Sequence, residues 1–276
     1  MATMPMPNRI NMISWNIWRG GFDSYDPTQA VPDREVAICN FIKHQHTALG
    51  VDTVFLSDAY LWAKRYVSND EIARHLGYRN AIFMPLNDSR IEAIVGPGAG
   101  SVFATDHSVK EVRILDLGNR QGLGIILDVG LHGLQIANVY LDDLSEETRI
   151  KQTEALLAGL EKDMPTIITG DLNTLRPSMR SARFDVQVKD FCVRILTHLS
   201  PKHSAFNRRQ VIPIIEDSGF IDADRRLKRP TAPAKFPAVG LDYVFHSKDL
   251  EIECLQVMPI HGESDHLPLS FSFMLK

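Results

Sequence analysis

An acid and an amide stand directly after an apolar, β-branched run in the middle of the chain. The run covers Thr166 to Thr169, Gly170 interrupts it, and Asp171 and Asn173 follow. We interpret the run as a buried strand that the glycine breaks. Side chains at positions i and i+2 of an extended segment point to the same side, so Asp171 and Asn173 are expected together at the carboxyl end of this strand. Ligands collect at that position in α/β proteins, and the competing interpretation is an Asx turn that closes the strand.

Hard oxygen donors recur beside other apolar runs. Asn16 lies near the end of a first predicted strand and Asp58 ends a second, while Asp242 and the pair Asp265-His266 accompany strands near the C-terminus. Each of these residues, taken alone, is more simply a cap or a turn. Together they form a set of carboxylate and amide oxygens, and the chain lacks the Cys and multiple-His spacing of structural zinc sites. The set therefore predicts Mg²⁺ (or Mn²⁺) as the cofactor.

The elements that must position these residues follow from the periodicity of the apolar positions. Predicted strands cover residues 9–17, 52–58, 79–85, 90–95, 101–105, 110–116, 122–129, 132–140, 165–169, 241–247, 251–258 and 268–274. Helices are expected from Pro32, from Ser68 (whose spacing to Glu71 is that of a capping box), over 145–162 and 180–199, and around 211–218. The chain has no short-period repeat and no low-complexity linker, so residues 1–276 are predicted to form one domain.

Composition and charge narrow the class of protein only in part. The formal net charge of −4 gives no global attraction to nucleic acid or acidic membranes. Positive charge is concentrated between residues 175 and 235, where it forms either a wall facing the substrate or a solvated surface. No apolar run approaches the roughly 20 residues of a membrane span, and no signal peptide is recognised. The three widely spaced cysteines fit a reducing compartment, so a cytoplasmic location is expected, and no obligate protein partner is evident.

The order and spacing of six motifs resemble those of the endonuclease/exonuclease/phosphatase superfamily, which includes deoxyribonuclease I and the abasic-site endonucleases. The motifs are ISWNI, FLSD, NVYL, GDLN, GLDYVF and SDHLPL, and the resemblance extends from Arg9 to Phe273. It implies an α/β fold of the deoxyribonuclease I type. That fold is a four-layer sandwich in which two packed, mainly antiparallel β-sheets are flanked by helices, with the site in a cleft at one edge of the sheets.

The resemblance also implies a role for each candidate residue near the metal and the attacking water. Asp58 matches the primary metal ligand, and Asn16 and Asp265 would complete or orient the metal shell. Asp171 matches the residue that positions or deprotonates the water. Asn173 matches the residue that holds the phosphate and the water in line.

Three further residues acquire roles in the same way. His266 matches the histidine that binds the phosphate and stabilises the transition state, and Asp242 would bond to its other ring nitrogen. Tyr140 stands where deoxyribonuclease-like members carry His and abasic endonucleases carry Tyr. Of the three tryptophans, Trp18 is the one expected to line the cleft. The chain departs from the family at Ser57-Asp58, where most members have Gln-Glu.

The resemblance predicts a divalent-metal-dependent phosphoesterase, a hydrolase of the nuclease and phosphatase type. Its expected reaction is hydrolysis of a phosphodiester, in a nucleic acid or a small molecule, by in-line attack of an activated water. One alternative is a phosphomonoesterase acting on a small phosphorylated metabolite. The other is a catalytically detuned protein that binds a phosphate ligand, because Asp58 is one methylene shorter than the usual Glu. The expected partner is a phosphoester substrate, with DNA and RNA among the candidates, and no membrane.

Overall fold

Two six-stranded β-sheets make up the centre of the computed structural model. The structure describes residues 9–23, 34–85, 100–118, 120–129, 133–143, 145–175, 210–224, 229–235 and 240–276. Sheet 1 has the order β11-β12-β1-β2-β4-β3. Its strands are β1 (Arg9–Asn16), β2 (Thr53–Ser57), β3 (Asn80–Pro85), β4 (Gly100–Thr105), β11 (Leu250–Val257) and β12 (Leu269–Leu275).

Sheet 2 has the order β5-β6-β7-β8-β10-β9. Its strands are β5 (Val109–Asp116), β6 (Gln121–Leu127), β7 (Leu134–Tyr140), β8 (Thr166–Asp171), β9 (Ile221–Asp222) and β10 (Asp242–His246). The helices of the described residues are α1 (Glu35–Leu49), α2 (Trp62–Arg65), α3 (Asn69–Leu76), α4 (Glu146–Gly159) and α5 (Val211–Asp217), and a short 3₁₀ turn covers Arg19–Gly21. The predicted α/β sandwich with mainly antiparallel sheets is confirmed.

Apolar side chains fill the space between the two sheets and the space under the helices. Phe55 and Phe103 of sheet 1 pack against Ile125 of sheet 2 in the inner layer. On the outer face of sheet 1, Trp15 packs with Ile38 of α1. On the outer face of sheet 2, buried residues of β8 pack with those of α4 and α5. Strands buried on both faces explain why most of the apolar runs are continuous.

One parallel strand pair lies near the middle of each sheet and brings functional positions to the same edge. β1 runs parallel to β2, with Asn16 opposite Ser57. β7 runs parallel to β8, with Tyr140 opposite Asp171. On the other side of β8, the antiparallel strand β10 places Asp242 opposite Asp171. The register of three strands in sheet 2 therefore brings together three of the eight candidate residues.

The glycine before Asp171 does not break its strand, which corrects the prediction from sequence. β8 continues through Gly170 to Asp171. Gly170 has φ +133°, and a Cβ there would lie 2.0 Å from the carbonyl oxygen of Val139. The residue is glycine because β7 and β8 approach closely and because this φ disfavours other residues.

The other predicted elements agree with the structure apart from their ends and a few omissions. Ser68 caps α3 by accepting the backbone N–H of Glu71 at 3.2 Å, as the capping box predicts. Helix α1 begins at Glu35, while α2 and the two-residue β9 were not predicted. The predicted strand 90–95, the helix 180–199, Pro32 and most of the basic segment 175–235 lie outside the described residues. Across the described residues, no helix is long and apolar enough to cross a membrane.

Candidate active site

His266 lies between two carboxylates. Its Nδ1 is 2.8 Å from Oδ2 of Asp242, and its Nε2 is 3.8 Å from Oδ2 of Asp171. Burial alone would lower the pKa of His266, but the negative charges of Asp242 and Asp171 outweigh it and raise this pKa to about 10. The imidazole is therefore charged at neutral pH, with one nitrogen fixed by Asp242.

Asp171 connects the histidine to the first sheet. Its Oδ2 accepts a hydrogen bond from Nδ2 of Asn16 at 3.1 Å, and its Oδ1 accepts one from the backbone N–H of Asn173 at 2.9 Å. The second bond is that of an Asx turn, so the turn and the site are the same structure. Burial raises the pKa of Asp171, and the charge of His266 opposes this shift. Asp171 is thus a buried carboxylate whose proton affinity depends on His266.

Asn173 is held by the segment that follows β7, and Tyr140 is the last residue of β7. Asn173 has a left-handed backbone, with φ +48°, and its Nδ2 donates to the carbonyl oxygen of Leu141 at 3.0 Å. The N–H of Leu141 donates in turn to the carbonyl oxygen of Asp171 at 3.0 Å. Burial and the nearby charge of Asp58 raise the pKa of Tyr140 well above its usual value, so its hydroxyl remains a proton donor.

Asp58 follows directly on β2 in a constrained loop. Its φ is +55°, its Oδ2 accepts the backbone N–H of Arg19 at 2.8 Å, and its carbonyl oxygen accepts the N–H of Gly20 at 2.6 Å. Burial raises the pKa of Asp58 to about 6. The N–H of Arg19 opposes this shift, and the charge of Asp265 adds to it. The negative charges of Asp58 and Asp265 therefore repel each other.

The loop that carries Asp265 and His266 is fixed to the end of β1. Oγ of Ser264 donates to the carbonyl oxygen of Asn16 at 2.7 Å and accepts the N–H of His266 at 3.1 Å. Nε1 of Trp15 donates to the carbonyl oxygen of His266 at 2.9 Å. These bonds hold both backbone polar groups of His266, and Asp265 remains exposed between them.

Among the described residues, the closest cluster of potential metal ligands differs from the predicted set. Ligand atoms of Asp171, Asp242 and His266 all lie within 4.8 Å of one another. In this cluster Nδ1 of His266 is already bonded to Asp242, so the geometry is that of an oriented imidazole. Of the predicted metal residues, Asn16 contacts Asp171 of this cluster directly, and the charge of Asp265 acts on both His266 and Asp58.

Comparison with known proteins identifies the family. The sequence profile described as the Endonuclease/Exonuclease/phosphatase family matches residues 13–266, a span that contains all eight candidate residues. The chain belongs to this family. No curated protein matches the sequence.

Solved structures of the endonuclease/exonuclease/phosphatase fold match nearly the whole chain at low sequence identity. An endonuclease/exonuclease/phosphatase from Beutenbergia cavernae is 20% identical with a TM-score of 0.68, and the match covers 97% of this chain and 72% of that one. The human Nocturnin catalytic domain with bound sulfate is 16% identical with a TM-score of 0.62, covering 97% and 94%. The mannosyl-6-phosphatase of Bacteroides thetaiotaomicron is 13% identical with a TM-score of 0.60, covering 96% and 100%. These likenesses establish the fold.

The structure brings the eight predicted residues of this endonuclease/exonuclease/phosphatase family member to one edge of the two sheets. Trp18, the tryptophan expected to line the cleft, lies beside them, and its backbone N–H donates to Oδ1 of Asn16 at 3.0 Å. Sequence reasoning missed two further residues at this edge, Arg120 and Ser264. Arg120 was not predicted, because it lies in a hairpin turn with no recognisable motif. Ser264 stands within the SDHLPL motif, but its hydrogen bond to the end of β1 at Asn16 is visible only in three dimensions.

Proposed function

We propose that this protein is a divalent-metal-dependent phosphoesterase that hydrolyses a phosphodiester by in-line attack of water. The observation that carries the proposal is the position of His266, held between Asp242 and Asp171 and charged at neutral pH. Phosphoryl transfer requires a positioned nucleophile and donors that neutralise the non-bridging oxygens. A buried imidazolium beside a buried carboxylate supplies both kinds of group.

Each side chain has a defined role in this proposal. The imidazolium of His266 donates to a non-bridging phosphate oxygen, and Asp242 keeps Nδ1 protonated and the ring oriented. Asp171 positions the attacking water and takes its proton. Asn173 and the neutral hydroxyl of Tyr140 donate to the phosphate, where preorganised donors are worth roughly 3–4 kcal/mol each.

Asn16, Asp58 and Asp265 would hold the metal ion, for which Mg²⁺ or Mn²⁺ is proposed. These residues fit such an ion because all three offer oxygen ligands. Two of them are carboxylates close enough together that the charge of Asp265 helps to raise the pKa of Asp58. When bound, the ion supplies Lewis acidity and neutralises charge on the phosphate. Arg19 keeps the carboxylate of Asp58 in place through its backbone N–H.

The substrate proposal is a phosphodiester, with DNA, RNA and small phosphodiesters as candidates. The name of the Bacteroides mannosyl-6-phosphatase, a structural neighbour, supports testing phosphomonoesters beside it. The detuned alternative also remains a hypothesis, because Asp58 replaces the longer acid of most family members. The cytoplasmic location stays a prediction from the sequence.

The decisive experiment measures hydrolysis of bis-p-nitrophenyl phosphate, p-nitrophenyl phosphate and nicked or abasic DNA duplexes with Mg²⁺, Mn²⁺ or EDTA. Wild type is compared with Asp171→Ala and with Asp163→Ala, which removes an exposed acid of the loop before β8. We expect metal-dependent diester turnover that Asp171→Ala abolishes and Asp163→Ala preserves.

Each other outcome has a defined meaning. Turnover of the monoester alone would replace the diester assignment by the phosphomonoesterase. Turnover unaffected by EDTA would contradict the metal assignment. Saturable binding of inorganic phosphate without turnover of any substrate would favour the detuned protein.

A further inference from the structure

Arg120 is a buried cation beside the proposed site that the roles assigned above leave unused. It lies in the turn between β5 and β6, and its side chain is 1% exposed. Burying a guanidinium is costly unless partners surround it. Its partners therefore indicate what this arginine is placed to do.

The guanidinium of Arg120 contacts Tyr140 at the end of β7 and two residues of the segment that follows, Leu141 and Asp143. Nη1 lies 2.5 Å from the carbonyl oxygen of Leu141 and 3.3 Å from that of Tyr140, and Nη2 lies 2.9 Å from Oδ1 of Asp143. The guanidinium carbon is 4.6 Å from the centre of the Tyr140 ring. A planar fork with several donors can make these contacts at once, whereas an ammonium group cannot.

The carbonyl oxygen of Leu141 is shared between Arg120 and Asn173. It accepts Nη1 of Arg120 at 2.5 Å and Nδ2 of Asn173 at 3.0 Å. A carbonyl oxygen has two lone pairs, so these two donors fill it. The orientation of the Asn173 side chain thus depends on an oxygen that Arg120 holds in place.

We propose that Arg120 is a positioning residue that orients Asn173 through the carbonyl oxygen of Leu141. The catalytic consequence rests on the proposed phosphoesterase function, whereas the orientation itself does not. Arg120 acts through protein groups in this proposal and does not contact the substrate.

The kinetic experiment compares Arg120→Lys and Arg120→Ala with wild type on bis-p-nitrophenyl phosphate. We expect kcat to fall about 10- to 100-fold, as for other residues that hold a catalytic group in place, with KM changed less than about threefold. Arg113→Lys and Arg113→Ala are the matched controls, because Arg113 lies on the same hairpin and pairs with the surface acids Glu111 and Glu161. A large rise in KM with kcat unchanged would instead indicate that Arg120 binds substrate, and would overturn the proposal.

A double-mutant cycle separates positioning from independent action. If Arg120 acts through Asn173, then Arg120→Lys in the Asn173→Ala background should lower kcat by less than about twofold. Losses that multiply would overturn the proposal. Thermal unfolding of each variant is measured beside the kinetics. If Arg120→Ala fails to fold, Arg120→Lys alone decides the test, because lysine retains the charge and the aliphatic part of the side chain.

A readout without turnover keeps this inference separate from the proposed function. The side-chain NH₂ resonances of Asn173, assigned by their loss in Asn173→Ala, should shift in Arg120→Lys and remain in place in Arg113→Lys. Resonances that do not move in Arg120→Lys would overturn the positioning role. If they move while the wild type hydrolyses no substrate, the positioning role stands and the phosphoesterase proposal fails.

Discussion

Oδ2 of Asp242 lies 2.8 Å from Nδ1 of His266, at the join between a strand of sheet 2 and a loop before the last strand of sheet 1. Since Asp242 is fixed by the register of β10 with β8 and His266 by Ser264 and Trp15, the pair connects the two sheets at the candidate site. The bond decides which nitrogen of the ring faces Asp171.

Asp242→Asn should lower kcat at neutral pH by about 100-fold or more and move the alkaline limb of the pH profile. Burial lowers the pKa of His266, but Asp242 and Asp171 raise it to about 10. Activity that needs the imidazolium is therefore present below this pKa and lost as pH rises through about 10. Without the Asp242 charge this loss occurs at lower pH. The profile of kcat/KM between about pH 5 and about pH 11 measures the shift.

The matched control is Asp217→Asn, which neutralises an exposed acid at the end of α5. Its alkaline limb should coincide with that of the wild type. An unchanged limb in Asp242→Asn would contradict the charged state of His266.

Asp58→Asn should unfold at a higher temperature than wild type in metal-free buffer at neutral pH. Burial, followed by the charge of Asp265, raises the folded-state pKa of Asp58 to about 6. The folded protein therefore binds the proton of Asp58 more tightly than the unfolded chain does. The stability that this proton contributes is lost as the pH rises from the pKa of Asp58 in the unfolded chain through about 6. Differential scanning calorimetry in EDTA measures the difference, which should vanish in acid. A wild type more stable than Asp58→Asn in EDTA would contradict this burial.

The same measurement with Mg²⁺ should give the opposite order. A ligand that binds only the folded state raises the unfolding temperature, so Mg²⁺ should stabilise the wild type and leave Asp58→Asn unchanged. The stabilisation should increase with pH as Asp58 loses its proton. Equal Mg²⁺ effects on both proteins would exclude Asp58 from the metal site.

Asp58→Glu should lower turnover, although glutamate is the usual residue of the family here. Oδ2 of Asp58 already accepts the N–H of Arg19, and Gly20 approaches so closely that a Cβ there would lie 2.2 Å from the carbonyl oxygen of Tyr60. An extra methylene must displace this loop, and a misplacement of about 1 Å costs up to about 100-fold in rate. Steady-state kinetics with varied Mg²⁺ test this. The control is Asp265→Glu, which should lose less activity because Asp265 is exposed. A gain of activity in Asp58→Glu would support the detuned alternative.

Gly170→Ala should destabilise the protein by about 3 kcal/mol and distort the position of Asp171. The new Cβ would lie 2.0 Å from the carbonyl oxygen of Val139, in backbone that cannot move without separating β7 from β8. Gly219→Ala is the matched control, since Gly219 also has positive φ (+94°) but open space around it, and it should cost about 1 kcal/mol. Urea unfolding measures both, and equal losses would show that the close approach is unimportant.

Local sequence was sufficient for most elements, whereas the candidate site residues came from the order of the motifs and the family that they resemble. The apolar runs predict the strands because strands buried on both faces need continuous apolar residues, and Ser68 with Glu71 predicts the start of α3 because capping is local. Local sequence gave a wrong prediction at Gly170, because the requirement for glycine there comes from Val139 on the neighbouring strand.

By itself, then, the sequence determined which acids, amides and histidine are available and which strands carry them. Only the tertiary structure decided how they are used. Asp171 contacts Asn16, 155 positions away in the sequence, and lies beside His266, 95 positions away. The raised pKa of His266 follows from the charges of Asp242 and Asp171. Arg120 and Ser264 acquire partners from other strands that no local pattern encodes. Hydrogen bonds and pKa shifts depend on distances between groups remote in sequence, and folding alone sets those distances.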